Sequence, residues 1–199
     1  YGMTEIGMGI SNPYHGERRP GHIGQALPGV QIRLVNEEGL VTTENISGEI
    51  QIKGPNVFQE YWQKPEATQK AFSEDGWFLS GDIAIFKDGY YKILGRDSVD
   101  IIKSGGYKIS ALEIEDVLRK HPLISDCAVI GIPNPEWGEV IVASLILKDE
   151  KTPIDLTSLK NWLKEVLPAY KVPRQFIIQA ALPRNVLGKV TKNVLKQLF

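Results

Sequence analysis

Apolar and polar residues alternate through residues 30–34 and again through residues 49–53, the two-residue period of strands that bury one face. Glu38-Gly39 marks a turn region between them. Residues 64–71 read as a short helix with Pro65 at a tolerated first-turn position, and Asp75-Gly76 as a turn before the run WFLSGD. Residues 83–86 and 90–94 flank Asp88-Gly89, a pair suited to a tight hairpin turn. Beyond residue 97 helical and strand periods alternate. Residues 111–120 place Ile114, Val117 and Leu118 on one helical face. Ser110 and Glu113 have the spacing of a capping box at its start. Residues 126–132 and 140–147 are β-type apolar runs separated by Pro133-Asn134-Pro135. Asp155 is placed to cap a helix in which Leu156, Leu159, Leu163 and Val166 share a stripe, and Pro168 ends it. Residues 176–178 form a further strand, and residues 191–199 a terminal helix carrying Val194, Leu195 and Leu198. Residues 1–30 are glycine- and turn-rich without a period, so an irregular, ligand-lining loop is expected there.

This pattern predicts an α+β fold in two parts: a small antiparallel β subdomain over residues 1–96, then an α+β domain over residues 97–199. The second part is expected to be a three-stranded sheet with flanking helices. Gly95-Arg96-Asp97 is too charged for a core and stands where one element ends, which suits a pivot. A chain of 199 residues fits one or two domains of roughly 100–200 residues each. A net charge of −1 gives no global pull toward nucleic acid or an anionic membrane, and no apolar run approaches the ~20 residues needed for a membrane span. The single cysteine, Cys127, rules out an internal disulfide framework and sits in an apolar strand-like run where a buried thiol is expected. The chain starts on Tyr1 inside a glycine-rich stretch, so a piece of a longer protein is expected, with an N-terminal portion upstream and no targeting peptide in view. The expected compartment is the cytoplasm, with the mitochondrion as the alternative.

Four stretches carry chemistry. In Tyr1-Gly-Met-Thr4-Glu5, an aromatic face, a hydroxyl and a carboxylate together suit a base, a phosphate oxygen and a metal. In Ser80-Gly-Asp82, the aspartate can accept two hydrogen bonds from a ribose diol. Gly95-Arg96-Asp97 is the third. In the fourth, Asn185-Val-Leu-Gly-Lys189, an ammonium follows a glycine and can meet phosphate. A Walker loop is excluded there, because Pro183 and Val190 stand where glycine and Ser or Thr would be required. Gly105-Gly106 lies between β-type residues, where a bare backbone allows close ligand approach. Arg18, Arg19 and His15 could pair with a substrate carboxylate, since arginine binds carboxylates bidentately, or could form an exposed basic loop.

In this order the stretches resemble the signature series of the adenylate-forming superfamily, which includes acyl-CoA synthetases, peptide-synthetase adenylation domains and luciferases. The series reads YGMTE, SGEIQIKGPNVFQEYW, GWFLSGDIA, ILGRDSVDIIKSGGYKISALEIE and PRNVLGKVTK, and it covers essentially the whole chain. SNPYHGERRPG and LPGV look most like the members that act on malonate. The resemblance implies an acid–CoA ligase with ATP, magnesium and coenzyme A. A carboxylate attacks the α-phosphate of ATP to give acyl-adenylate and pyrophosphate, and the thiol of coenzyme A then displaces AMP. It implies that Tyr1 lies against adenine, Thr4 bonds the α-phosphate, Glu5 holds magnesium, and Asp82 and Arg96 grip the ribose. Lys189 would bridge the attacking carboxylate and the α-phosphate, Asp97 would be the hinge of a mobile α+β C-terminal domain, and Gly105, Gly106 and Tyr107 would line the pantetheine tunnel. For an acid with a second carboxylate, Arg18 and Arg19 are the candidate partners, against the plainer reading of an exposed basic loop. Luciferase-like members carry a second lysine where Gly105 stands, which disfavours that branch. Alternatives are an acyl-CoA synthetase for medium-chain or other acids, and a non-catalytic binding domain that keeps the fold.

Overall fold

The strand periods of the first half are realised as one antiparallel sheet. The computed structural model describes residues 1–149 and 152–199, which fall into two compact units, Tyr1–Asp97 and Ser98–Phe199. In the first unit β1 (Gln31–Asn36), β2 (Gly48–Lys53), β3 (Phe78–Lys87) and β4 (Tyr90–Arg96) pair in sequence order, and the two-residue strand Gly39–Leu40 folds back on β1. Glu37 and Glu38 form the turn itself. The β3–β4 turn is Asp88-Gly89, with φ of 46° and 83°, the left-handed torsions its sequence suits. Residues 78–82, expected only to lead into a strand, belong to the ten-residue β3, which carries a bulge between Ile83 and Ala84. Ile50, Ile52, Phe78 and Ala84 point to one core with Ile6 and Leu34. A short helix α1, Pro65–Lys70, lies between β2 and β3 with proline in its first turn.

Residues 1–30 are more regular than the lack of a period suggested. Gly2–Met3 pairs with Gly7–Met8, and Ile10–Ser11 with Gln25–Ala26. Both ladders depend on backbone contact at a glycine. A Cβ on Gly2 would lie 2.0 Å from the Gly7 carbonyl oxygen, and one on Gly24 would lie 2.1 Å from the Ser11 carbonyl carbon.

The second unit corrects the expected three-stranded sheet to five strands. β5 (Ile101–Ser104) and β6 (Tyr107–Ser110) form a hairpin. β7 (Ile124–Asn134) and β8 (Gly138–Leu147) form the long central pair, and β9 (Gln175–Ile178) adds parallel to β8. The hairpin joins β8 through the single partner pair Ser104–Gly138, a link that no periodicity announces. The apolar runs of β7 and β8 are continuous because both faces of the sheet are covered. Cys127, Val129, Ile141, Ala143 and Leu145 pack against α2 (Ala111–Leu118) and α3 (Leu156–Val166), while Ala128, Ile130 and Val142 pack against Leu182 and Leu195.

The N-caps form where the sequence placed them, but the box at α2 is half made, because Lys171 Nζ takes both oxygens of Glu113 at 2.8 and 2.7 Å. Ser110 Oγ accepts from the Glu113 amide at 3.2 Å, and Asp155 accepts from the Thr157 and Ser158 amides at 3.0 and 3.1 Å. A cap is worth about 1 kcal/mol and a fully buried leucine about 1.5–3 kcal/mol, so Leu159 and Leu163, both buried, hold α3 in place more than its cap does. The terminal helix is shorter than expected: α4 spans Lys192–Leu195 and a 3-10 turn, Lys196–Leu198, follows.

Candidate active site

Asp82 sits on β3 directly across from Arg96 on β4. Its carboxylate is gripped on both oxygens: Arg96 Nε donates to Oδ1 at 2.9 Å and the Tyr1 hydroxyl to Oδ2 at 2.6 Å. The Asp82 side chain is 11 % exposed against 54 % for Arg96, so a nearly buried anion faces a half-exposed cation. Burial, then the hydrogen bond to Asp82 and its charge, push the Tyr1 phenol far above its ordinary range, so it stays a donor. Gly81, at φ 71°, bends β3 just before Asp82, and its carbonyl accepts the Asp97 amide at 3.1 Å.

The YGMTE segment is the hairpin Gly2–Met3/Gly7–Met8 with Thr4, Glu5 and Ile6 at its tip. It is pinned from the segment after β2. Asn56 Nδ2 donates to the Ile6 carbonyl at 2.8 Å and the Phe58 amide to the Glu5 carbonyl at 2.7 Å. Thr4 is exposed. The Tyr61 hydroxyl donates to Glu5 Oε1 at 2.8 Å. Burial and this bond raise the Tyr61 phenol, and the Arg96 charge opposes them. Tyr61 thus fixes one oxygen of Glu5. The sequence reading passed over it, because a tyrosine in a loop bears no pattern.

In the second unit Lys189 is exposed on a tight loop closed by the bridge Arg184–Val190. Asn185 Oδ1 accepts from the Leu187 and Lys189 amides at 3.0 and 2.9 Å, and the Asn185 amide donates to the Lys189 carbonyl at 2.9 Å. Gly105 and Gly106 turn the β5–β6 hairpin at φ 57° and 81°. The Gly105 amide donates to the Trp137 carbonyl at 2.9 Å, and a Cβ there would come within 3.0 Å of the Trp137 ring. Tyr107 stacks on Tyr170, centroids 4.5 Å apart at 16°.

The remaining candidates divide. Arg19 is already engaged: its guanidinium pairs with Glu17 at 3.0 Å, lies 3.8 Å from Asp88 and stands 4.2 Å over the Tyr90 ring. Arg18 is exposed, with Nε on the Pro13 carbonyl at 3.4 Å. His15 packs edge-on against Tyr14. Cys127 is buried, and burial pushes its thiol up to about 12, which leaves it protonated and unreactive. Among the described residues no group of three or more His, Cys, Asp or Glu side chains could hold a metal by itself, and no helix is long and apolar enough to cross a membrane.

Residues 1–62 match the family model of the AMP-binding enzyme, and residues 113–189 match that of the AMP-binding enzyme C-terminal domain. The chain belongs to the AMP-binding, adenylate-forming enzymes. Among its relatives, the mouse mitochondrial malonate–CoA ligase ACSF3 is 47 % identical over 219 residues, which take in 100 % of this chain and 37 % of the relative. The Arabidopsis thaliana malonate–CoA ligase is 45 % identical over 99 % of this chain and 34 % of the relative. The crystal structure of ATP-bound MatB from Rhodopseudomonas palustris superposes with a TM-score of 0.89 at 40 % identity, over 100 % of this chain and 39 % of that one. The chain therefore spans little more than a third of the length of these relatives.

Proposed function

We propose that this chain is the C-terminal part of an ATP-dependent acid–CoA ligase whose acid is malonate. The observation that carries the reading is Asp82. Each of its oxygens is held by one donor, Tyr1 or Arg96, and an ionised carboxylate has about four acceptor sites. One lone pair on each oxygen is left for a hydroxyl of the ribose diol. Tyr1, fixed by the same bond, offers its ring to adenine, and Arg96 completes the grip on the sugar. The identity to malonate–CoA ligases supports the choice of acid.

Around the phosphates, the exposed Thr4 hydroxyl is the donor for the α-phosphate. Glu5 fits magnesium: Tyr61 takes Oε1 and the carboxylate keeps hard oxygen sites, while magnesium typically binds one or two carboxylates together with substrate phosphates. When bound, the ion offsets phosphate charge. The Lys189 ammonium stabilises the negative charge that builds as the carboxylate oxygen attacks the α-phosphate and pyrophosphate leaves, the work of a preorganised donor. In the second step the sulfur of coenzyme A attacks the acyl carbon, the thiol proton is lost and AMP leaves. Gly105, Gly106 and Tyr107 line the path of the pantetheine. Asp97 is the hinge between the domain of residues 1–96 and the domain of residues 97–199. For the second carboxylate of malonate, Arg18 is the better candidate, since Arg19 is neutralised by Glu17 and Asp88.

The test is a panel of malonate, methylmalonate, acetate and aromatic acids with the full-length protein. Malonate is expected to give the highest kcat/KM, and Arg18→Ala to reduce it selectively for malonate over acetate. A monocarboxylate preferred over malonate removes the reading of the acid, and no acid-dependent pyrophosphate release removes the ligase. This chain alone, spanning 37 % of the length of such a relative, is expected to release none.

A further inference from the structure

The loop that carries Lys189 is held from both sides by one chain of charges. Arg184, at its entry, donates through Nη1 to the Gly188 carbonyl inside the loop and through Nη2 to Asp126 on β7. Lys192, three residues past Lys189, is 7 % exposed, with Nζ 2.7 Å from Asp100 Oδ1 and 2.8 Å from Glu115 Oε1. Glu115, on α2, is 3 % exposed. Its Oε1 also accepts the Val129 amide of β7 at 2.8 Å, and its Oε2 lies 3.2 Å from Arg119. Arg119 in turn lies 3.8 Å from Asp126. The series Lys192–Glu115–Arg119–Asp126–Arg184 thus runs from one flank of the loop to the other, with Asp100 also on Lys192.

Buried ion pairs are weak sources of stability, because desolvating the charges offsets much of their attraction. Apolar packing already secures the surroundings: Leu182 and Leu195 are buried and Val190 packs beside them. The tip has no such anchor, since Val186 and Leu187 stand in solvent at 102 % and 79 % exposure. What the charges add is direction: Arg184 ties the Gly188 carbonyl, next to Lys189, to Asp126 on β7, and Lys192, on the other side, is tied to Glu115 on α2.

We infer that this network is a clamp that positions Lys189 for the adenylation step, with Lys192, Glu115 and Arg184 as its positioning residues. The inference rests on the role given to Lys189 above. A displacement of about 1 Å at a reacting group can cost on the order of a hundredfold in rate, so loosening the clamp slows the step that uses Lys189 and spares the one that does not.

The experiment uses the full-length protein carrying Lys192→Met, Lys192→Arg, Glu115→Gln or Arg184→Met. Malonate-dependent pyrophosphate release and thioester formation from supplied malonyl-adenylate are measured separately, along with hydrogen exchange over residues 185–190 without substrates. Lys192→Met and Arg184→Met are expected to lower kcat for adenylation by about tenfold or more, with the KM for ATP and the thioester step little changed and exchange over 185–190 accelerated. Lys192→Arg is expected to recover most of the rate. Equal losses in both half-reactions, unchanged adenylation, or unchanged exchange overturn the clamp. Should Lys192→Met fail to fold, Arg184→Met decides, because its side chain is 45 % exposed and its loss leaves the core intact. Should Lys189→Ala leave adenylation intact, the role of Lys189 fails, and exchange over 185–190 still decides whether the network holds the loop.

Discussion

Asp82 and Arg96 are register partners across β3 and β4, with Arg96 Nε 2.9 Å from Asp82 Oδ1. Because Arg96 is half-exposed and Asp82 nearly buried, the pair holds an acceptor in place more than it stabilises the sheet. Removing the carboxylate should therefore cost nucleotide binding first. Hydrogen bonds to a charged group are worth about 1.5–3 kcal/mol, which corresponds to roughly ten- to a hundredfold in affinity. Asp82→Ala in the full-length protein is expected to raise the KM for ATP by that factor, with the KM for the acid little changed. An unaltered KM for ATP would show that Asp82 does not meet the ribose.

Lys189 carries no ion pair on its loop among the bonds described above, and its amide and carbonyl are both tied to Asn185. The backbone is thus set while the ammonium remains available. Lys189→Ala is expected to slow malonate-dependent pyrophosphate release by about a hundredfold or more, the order lost with one transition-state donor. Thioester formation from supplied malonyl-adenylate should survive. Equal slowing of both half-reactions would mean the lysine supports the fold or the acyl group and not the attack on phosphorus.

How far these features could be read from sequence depends on the physics behind each. The two-residue period marks β1 and β2, and the leucine stripe marks α3, because burial of one face imposes a repeat. The opposition of Asp82 and Arg96 could not be derived from pattern. It depends on a register that the bulge at Ile83/Ala84 shifts, and only the resemblance to a known series put the two residues together. Glu115 was passed over because a carboxylate on a helix normally faces water. It is buried here because Lys192, distant in sequence, and the Val129 amide meet it. The fourth and fifth strands of the second sheet were missed for a related reason: the β5–β6 hairpin joins at the single pair Ser104–Gly138. The hairpins within residues 1–30 are too short for a period to register.

The second of those hairpins gives a stability prediction. Gly24 has φ 101°, and a Cβ would lie 2.1–2.2 Å from the backbone of Ser11 and Asn12. Neither strand can yield without breaking the pairing of Ile10–Ser11 with Gln25–Ala26, and the Gly24 carbonyl also accepts the Tyr91 amide at 2.8 Å. Gly24→Ala is expected to destabilise the protein by more than about 1 kcal/mol, the scale on which alanine is tolerated only where φ is compatible. Gly21→Ala, at φ 74° with nothing within 4 Å, should cost less. Thermal unfolding of the two variants compares them directly, and equal midpoints would refute the steric account.

His121 provides a pH dependence. Its ring meets Trp162 edge-on at 4.9 Å, and Nδ1 accepts the Leu123 amide at 3.4 Å, which requires that nitrogen to be unprotonated. Burial, helped by the charge of Lys148, lowers its pKa below the ordinary histidine value. The unfolded chain therefore takes up the proton more readily than the folded one. The stability contributed by the neutral ring is fully present above the unfolded value of about 6.5 and is lost as pH falls through the lower folded value. Imidazole C–H resonances of the folded protein should show His121 titrating below about 6.5. The unfolding temperature should fall from about pH 7 to about pH 5, and His121→Asn, which keeps an acceptor but does not titrate, should flatten that fall. A His121 midpoint at or above the ordinary value, or an equally steep fall in the variant, would show that the acid sensitivity arises elsewhere.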